Sequence, residues 1–179
     1  MMGSIDRTLA IAQNTVREAI RSRVLYTLLF FAIAIIGTGV LLSTLSYVER
    51  ERILQDVGFA AIRVFGVAIA IFVGIGLVHR EVDRRTVFTI LSKPIARAEF
   101  LLGKYLGLLA TLWLQIAVMG ACFAAVSWGT GAPLTGGHAA ALAGIAAEVA
   151  VMVAIALLFS AVTTPMLAAF FTAGVWLIG

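Results

Sequence analysis

The chain has 179 residues, 62% of them apolar and 12% charged, with a mean hydropathy of +1.08 and a net charge of +4. Soluble domains are typically about 45–50% apolar and about 25% charged, so a soluble fold of this composition would leave much apolar surface in water, and the bilayer is the solvent it fits. All thirteen Lys and Arg lie in the first 104 residues, in short segments between apolar runs. That is the distribution of membrane topology, not the single basic face of a nucleic-acid binder.

Residues 5–22 read as an amphipathic helix. At 100° per residue, Ile5, Leu9, Ala12, Val16, Ala19 and Ile20 fall within one arc of about 100°, with Asp6, Arg7, Asn14, Arg17, Glu18 and Arg21 opposite. Such a helix can lie in the membrane interface with Arg17, Arg21 and Arg23 toward lipid phosphates. The other reading is an ordinary helix packed on a cytoplasmic partner. The interfacial one is favoured because the helix leads straight into an apolar run.

Four uncharged or nearly uncharged runs follow: 24–46, 57–78, 106–126 and 139–162. At about 1.5 Å per residue each is long enough for a hydrocarbon core of about 30 Å. The first is too long for the h-region of a cleaved signal peptide. A fifth run, 166–179, gives about 21 Å of helix, short of a full span, so the sequence is expected to stop inside a fifth helix of a longer protein. The fold expected is an all-α, polytopic transmembrane bundle forming one domain.

The basic residues set the orientation. Arg7, Arg17, Arg21 and Arg23 precede the first span, and Arg80, Arg84, Arg85, Lys93, Arg97 and Lys104 lie between spans two and three. The loop from Tyr47 to Asp56 has only Arg50 and Arg52, balanced by Glu49, Glu51 and Asp56, and Ser127–His138 has none. Ten against two places the N-terminus in the cytoplasm of a bacterial-type inner membrane. Tyr26 and Tyr105 fall near inner span ends, Tyr47 and Trp128 near outer ones, as interfacial aromatics do.

Residues 79–104 are the most distinctive stretch. Val87, Phe88 and Leu91 share one face of a short helix expected from about Glu81 to Leu91. Pro94 then disfavours helix at Lys93, and a helix restarts at Ala96. An apolar knob with a charged rim, held between two membrane helices, has the anatomy of a protein docking site. The plainer reading is a solvated, positive-inside loop.

The order Glu81, Arg85-Thr86, Leu91-Ser92-Lys93-Pro94, Arg97 and Gly103-Lys104 resembles the permease subunits of ABC exporters, the type-2 permease family. RSRVLY before the first span and FSAVTTPMLAA before the fifth helix are similar to that family as well. The resemblance implies six spans and a dimer with a second permease copy or paralogue. It also implies a coupling helix between spans two and three, carrying Glu81, Arg84, Arg85, Thr86, Val87, Phe88, Leu91, Ser92, Lys93, Pro94 and Arg97, that docks on a cytoplasmic ABC ATPase. The chain departs from the family by stopping in the fifth span. ATP and Mg²⁺ are expected on the partner, because the only Gly-Lys pair, Gly103-Lys104, is followed by Tyr105 at a helix entrance and lacks the P-loop pattern. Lys104 reads as an anchor snorkelling to headgroups.

Charges within spans are costly, about 2.5–3.5 kcal/mol each on insertion scales. Arg63 and Glu148 lie at depths of roughly 10 and 15 Å from the outer side, close enough to pair or to face a shared polar cavity. Alternatively, Arg63 snorkels outward and Glu148 is a protonated or hydrogen-bonded structural carboxyl. Gln115, mid-span, could line a pathway, though an interhelical hydrogen bond is the simpler expectation. Gly103-x-x-x-Gly107 and Gly74-x-Gly76 permit close helix approach. Cys122 stands alone, and His79 and His138 lack ligand spacing, so no metal site is expected. With no convergent acids or bases, a membrane-embedded enzyme is disfavoured. The leading reading is the permease of an ATP-driven exporter whose ATP hydrolysis lies on another chain. A secondary transporter or membrane scaffold is the alternative.

Overall fold

A computed structural model describes residues 4–44, 50–83, 97–131 and 136–179. The described residues form six helices: α1 (Ser4–Ile20), α2 (Arg23–Thr44), α3 (Arg50–Asp83), α4 (Arg97–Gly129), α5 (Gly136–Val162) and α6 (Pro165–Ile178). Four contain segments long and apolar enough to cross a membrane: Arg23–Ser43, Glu51–Gly76, Glu99–Gly129 and Gly136–Val162. The fold is therefore all-helical and multi-pass.

The centre of the bundle is α3, which touches each of the other described helices. Its buried stripe of Leu54, Ile62, Val67, Ile69, Ala70 and Val73 meets Leu108, Leu112 and Met119 of α4 and Val149, Val153 and Ala156 of α5 in one apolar core. By contrast, α2 buries only a narrow seam, Leu25, Ala32, Ile36, Gly39 and Ser43, and leaves Phe30, Phe31 and Leu41 exposed. Steps of three and four residues in that seam are those of a helix packed along one side, with its remaining surface free for lipid.

The second span is longer than expected at both ends. The 34 residues of α3 extend about 51 Å, well past a core of about 30 Å. RERILQD holds no Gly or Pro and several good helix formers, so the expected loop at 50–56 is helical. At the other end α3 runs unbroken to Asp83, so Glu81 belongs to the extension of the second span. The rest of the expected coupling helix lies outside the described residues. Arg97 opens α4.

The connections follow local chemistry. Arg21 and Ser22 alone link α1 to α2, with Arg21 N–H bonded to the Arg17 carbonyl at 3.2 Å and Ser22 N–H to Ala19 at 3.0 Å. Two residues past the end of α4 comes Gly131, whose φ of 78° lies in the left-handed region that a side chain disfavours. Thr164 takes an extended conformation (φ −71°, ψ 155°) before Pro165, which opens α6, as a residue before proline must.

Candidate functional site

The first contact of note is between α1 and the start of α4. A methyl group added at Gly103 would lie 2.8 Å from Ile11 and 3.0 Å from the Thr8 carbonyl oxygen, and one at Gly107 would lie 2.6 Å from both the Ala12 carbonyl oxygen and Thr15 Cβ. The two backbones touch, and only glycine fits on the α4 side. Thr15 and Thr111, both buried here, donate to carbonyls of their own helices, Ile11 at 2.9 Å and Gly107 at 2.9 Å, so the seam closes without an unsatisfied hydroxyl. Gly74-x-Gly76 behaves differently. A methyl at Gly74 would meet Ala156 Cβ at an ordinary 3.7 Å, and one at Gly76 would meet nothing within 4 Å.

The face of α1 used in this contact is rotated from the hydrophobic arc read in the sequence. Thr8, Ile11, Ala12, Thr15 and Ala19 turn toward α4, while Leu9 and Ile20 remain exposed. Close approach selects small side chains over large apolar ones. Arg17 and Arg21 are exposed near the end of α1, and Arg23 is exposed at the first position of α2. Lys104 departs from the anchoring geometry expected of it: it is 2% exposed, with Nζ 5.9 Å from the Phe100 ring centroid, within cation–π range.

The second contact unites α3, α5 and α6. Arg63 Nε–H donates to both carboxylate oxygens of Glu148, at 3.0 and 2.8 Å. The Trp176 indole N–H donates to Glu148 Oε1 at 2.8 Å. The side chains are 53% and 25% exposed for Arg63 and Glu148 respectively, so the pair sits at the bundle surface, not in a central cavity. Both bonds of Arg63 to Glu148 leave from Nε, so the carboxylate does not engage the terminal amino groups.

Below this cluster a groove of about 690 Å³ runs between α3 and α6, from Val64 and Trp176 down to Gly76 and Pro165. Every residue lining it is apolar or aromatic. It exists because α6 restarts at Pro165 and meets α3 less closely than α5 does, and because Ala68, Ala169 and Ala173 are small.

Gln115 is 5% exposed on α4, and its Nε2 has no hydrogen-bond partner among the described residues, so the interhelical bond expected of it is not formed there. Two aromatics of α4 do bond to α5. Tyr105 donates to the Ala150 carbonyl at 3.3 Å and Trp113 to the Ala146 carbonyl at 3.1 Å. Sequence reasoning missed Trp113 and Trp176. The available signal was chemical: an indole N–H at membrane depth needs an acceptor.

Of the docking residues, Glu81 ends up on α3 and Arg97 on α4. Arg84, Arg85, Thr86, Val87, Phe88, Leu91, Ser92, Lys93 and Pro94 lie outside the described residues.

In comparison with known proteins, a family model described as ABC-2 family transporter protein matches residues 9–178. No curated protein matches the chain.

Proposed function

The chain belongs to the ABC-2 transporter family, and from that membership we propose that it is the permease subunit of an ATP-driven exporter, coupled to a separate cytoplasmic ATPase. The observation that carries this reading is the extent of the family match, which takes in nearly all of the helical bundle. ATP and Mg²⁺ are held by the partner, and no covalent chemistry occurs on this chain. The permease works as a dimer in an inner membrane, N-terminus inside.

The segment between α3 and α4 is the docking element, with Val87, Phe88 and Leu91 as its apolar contact and Arg84 and Arg85 on its rim. Closure of the ATPases moves this segment, and motion passes into the helices that flank it. The α1–α4 seam supports such a route: with backbones in van der Waals contact at Gly103 and Gly107, displacement of the start of α4 carries α1 with it, because a close-packed seam has no slack. Leu9 and Ile20, exposed on the side of α1 away from the tightest contact, dip into the headgroup boundary, and Arg17, Arg21 and Arg23 reach lipid phosphate.

The test is co-purification with a co-expressed cognate ABC ATPase. Phe88→Asp, or Arg84→Glu with Arg85→Glu, should release the ATPase while the permease stays inserted. Undiminished co-purification of both variants overturns the coupling assignment.

A further inference from the structure

We propose that the corner between α1 and α2 is a site for one anionic phospholipid headgroup, gripped by Arg17, Arg21 and Arg23. It rests on the interfacial placement of α1 proposed for the permease and adds the lipid class that the corner selects.

The first observation is unpaired charge. Arg17, Arg21 and Arg23 are all exposed, and among the described residues none of their side chains makes an ion pair or a hydrogen bond. Arg63, by contrast, has Glu148. The nearest acidic residue in the sequence, Glu18, is half-buried and pairs with none of the three. Three guanidinium groups within seven residues thus form a positive patch for an anion to answer.

The second is place. Arg23 is the first residue of the membrane-spanning segment Arg23–Ser43, so the cluster stands at the headgroup plane and not within the hydrocarbon. Arg17 and Arg21 lie one turn apart on the exposed face of α1, and Arg23 follows Arg21 by two residues, a Cα separation of at most about 7 Å. Long side chains from all three can converge on one phosphate, and the planar fork of arginine suits phosphate oxygens, two bonds at a time.

The third is what surrounds the arginines. Thr27, Phe30 and Ala34 follow Arg23 at helical spacing and are exposed on the same side of α2, a stripe on which an acyl chain can lie beneath its own headgroup. Tyr26, also exposed, sits at the start of the span, where a phenol meets both the polar and the apolar layer. A free phosphate would use the arginines alone; a phospholipid uses the stripe as well.

The corner is also held firmly. Its linker is only Arg21 and Ser22, both with their N–H groups bonded back to α1, and α1 is locked to α4 at Gly103 and Gly107. The site therefore needs little ordering before it binds. One headgroup shared by α1 and α2 would clamp the two helices across that linker.

Native mass spectrometry of the full chain in a neutral detergent, titrated with phosphatidylglycerol and phosphatidylcholine in turn, tests this. Each engaged arginine is expected to favour the anionic lipid about fivefold, so the first phosphatidylglycerol should bind about a hundredfold more tightly than phosphatidylcholine. Arg17→Gln, Arg21→Gln and Arg23→Gln should each lose about fivefold of that preference, and the triple variant should bind the two lipids alike. All three side chains are exposed, so the fold is not at stake. Arg52→Gln removes an exposed charge from the first turn of α3, at the opposite end of the spans, and should change nothing. Millimolar inorganic phosphate should leave the bound lipid in place. Equal binding of the two lipids by the unaltered chain overturns the proposal, as does a full preference in the triple variant. So does a loss with Arg52→Gln as large as at the corner, which would mean diffuse surface charge, or displacement by inorganic phosphate, which would mean a site for a small anion. Micelles have no inside or outside, so these outcomes do not depend on which way the chain is inserted. Orientation is read separately, from whether an N-terminal tag in whole cells is reached only after permeabilisation.

Discussion

Two helix pairs in this molecule solve opposite problems. Where α1 meets α4, glycines bring the backbones together until a single methyl has no room. Where α3 faces α6, small side chains hold a channel open between helices that do not close on each other. The same kind of residue does both. Whether a small residue makes contact or space depends on what faces it: Gly107 faces a carbonyl and a threonine, whereas Ala169 and Ala173 face the flank of α3 across a gap that Phe72 and Phe170 border without filling. The first arrangement leaves no slack between its helices, and the second leaves a gap along them.

The contrast can be broken most severely at the charged pair above the channel. Glu148→Ala strands Arg63 at hydrocarbon depth and should lower insertion or folded yield by about 2.5–3.5 kcal/mol. Arg63→Ala with Glu148→Ala should lose far less than the sum of the two single changes. Strictly additive losses would show that the two side chains do not act as a unit.

Gly107→Leu attacks the tight seam and should cost about 1–3 kcal/mol. Hydrogen exchange should then show α1 amides losing protection while those of α5 keep it. Equal protection in the variant would mean the seam yields easily. Trp176→Phe keeps an aromatic ring but removes the N–H and part of the indole's volume, so a loss of at least about 1 kcal/mol in stability is expected. Gly37→Ala closes the series. Nothing lies within 4 Å of a methyl there, so stability should change by less than about 0.5 kcal/mol, a baseline against which the Gly107 result can be read.

The helices themselves were plain in the sequence, because long uncharged runs leave a backbone in hydrocarbon few alternatives. Their ends were less so. Sequence reasoning treated charge as the limit of a span, but Arg50–Asp56 is charged and helical alike. The depths of Arg63 and Glu148 were readable by counting, which allowed a meeting but could not choose it over snorkelling. Trp176 as third member was hidden, since its position depends on how α6 folds back at Pro165. The seam between α1 and α4 was half-visible. Gly103-x-x-x-Gly107 marks a close approach without naming its partner, and the partner helix gave a misleading face. Leu9 and Ile20 dominate any hydrophobic average, yet the surface that touches α4 is built from Thr8, Ala12, Thr15 and Ala19 with Ile11. Averages weigh side chains by their affinity for oil, whereas a close seam selects them for being small.

The hydrogen bond from Trp176 to Glu148 also measures an angle. Between Pro165, where α6 begins, and Trp176 lie three turns of helix that act as a lever of about 17 Å pivoting at Thr164. A tilt of about 5° at the pivot, directed away from α5, carries the indole by about 1.5 Å. From its 2.8 Å that is enough to take the N–H out of hydrogen-bonding range. A small rotation of α6 would thereby break a discrete bond to the ion pair that joins α3 and α5, so that the carboxylate would register where the helix points.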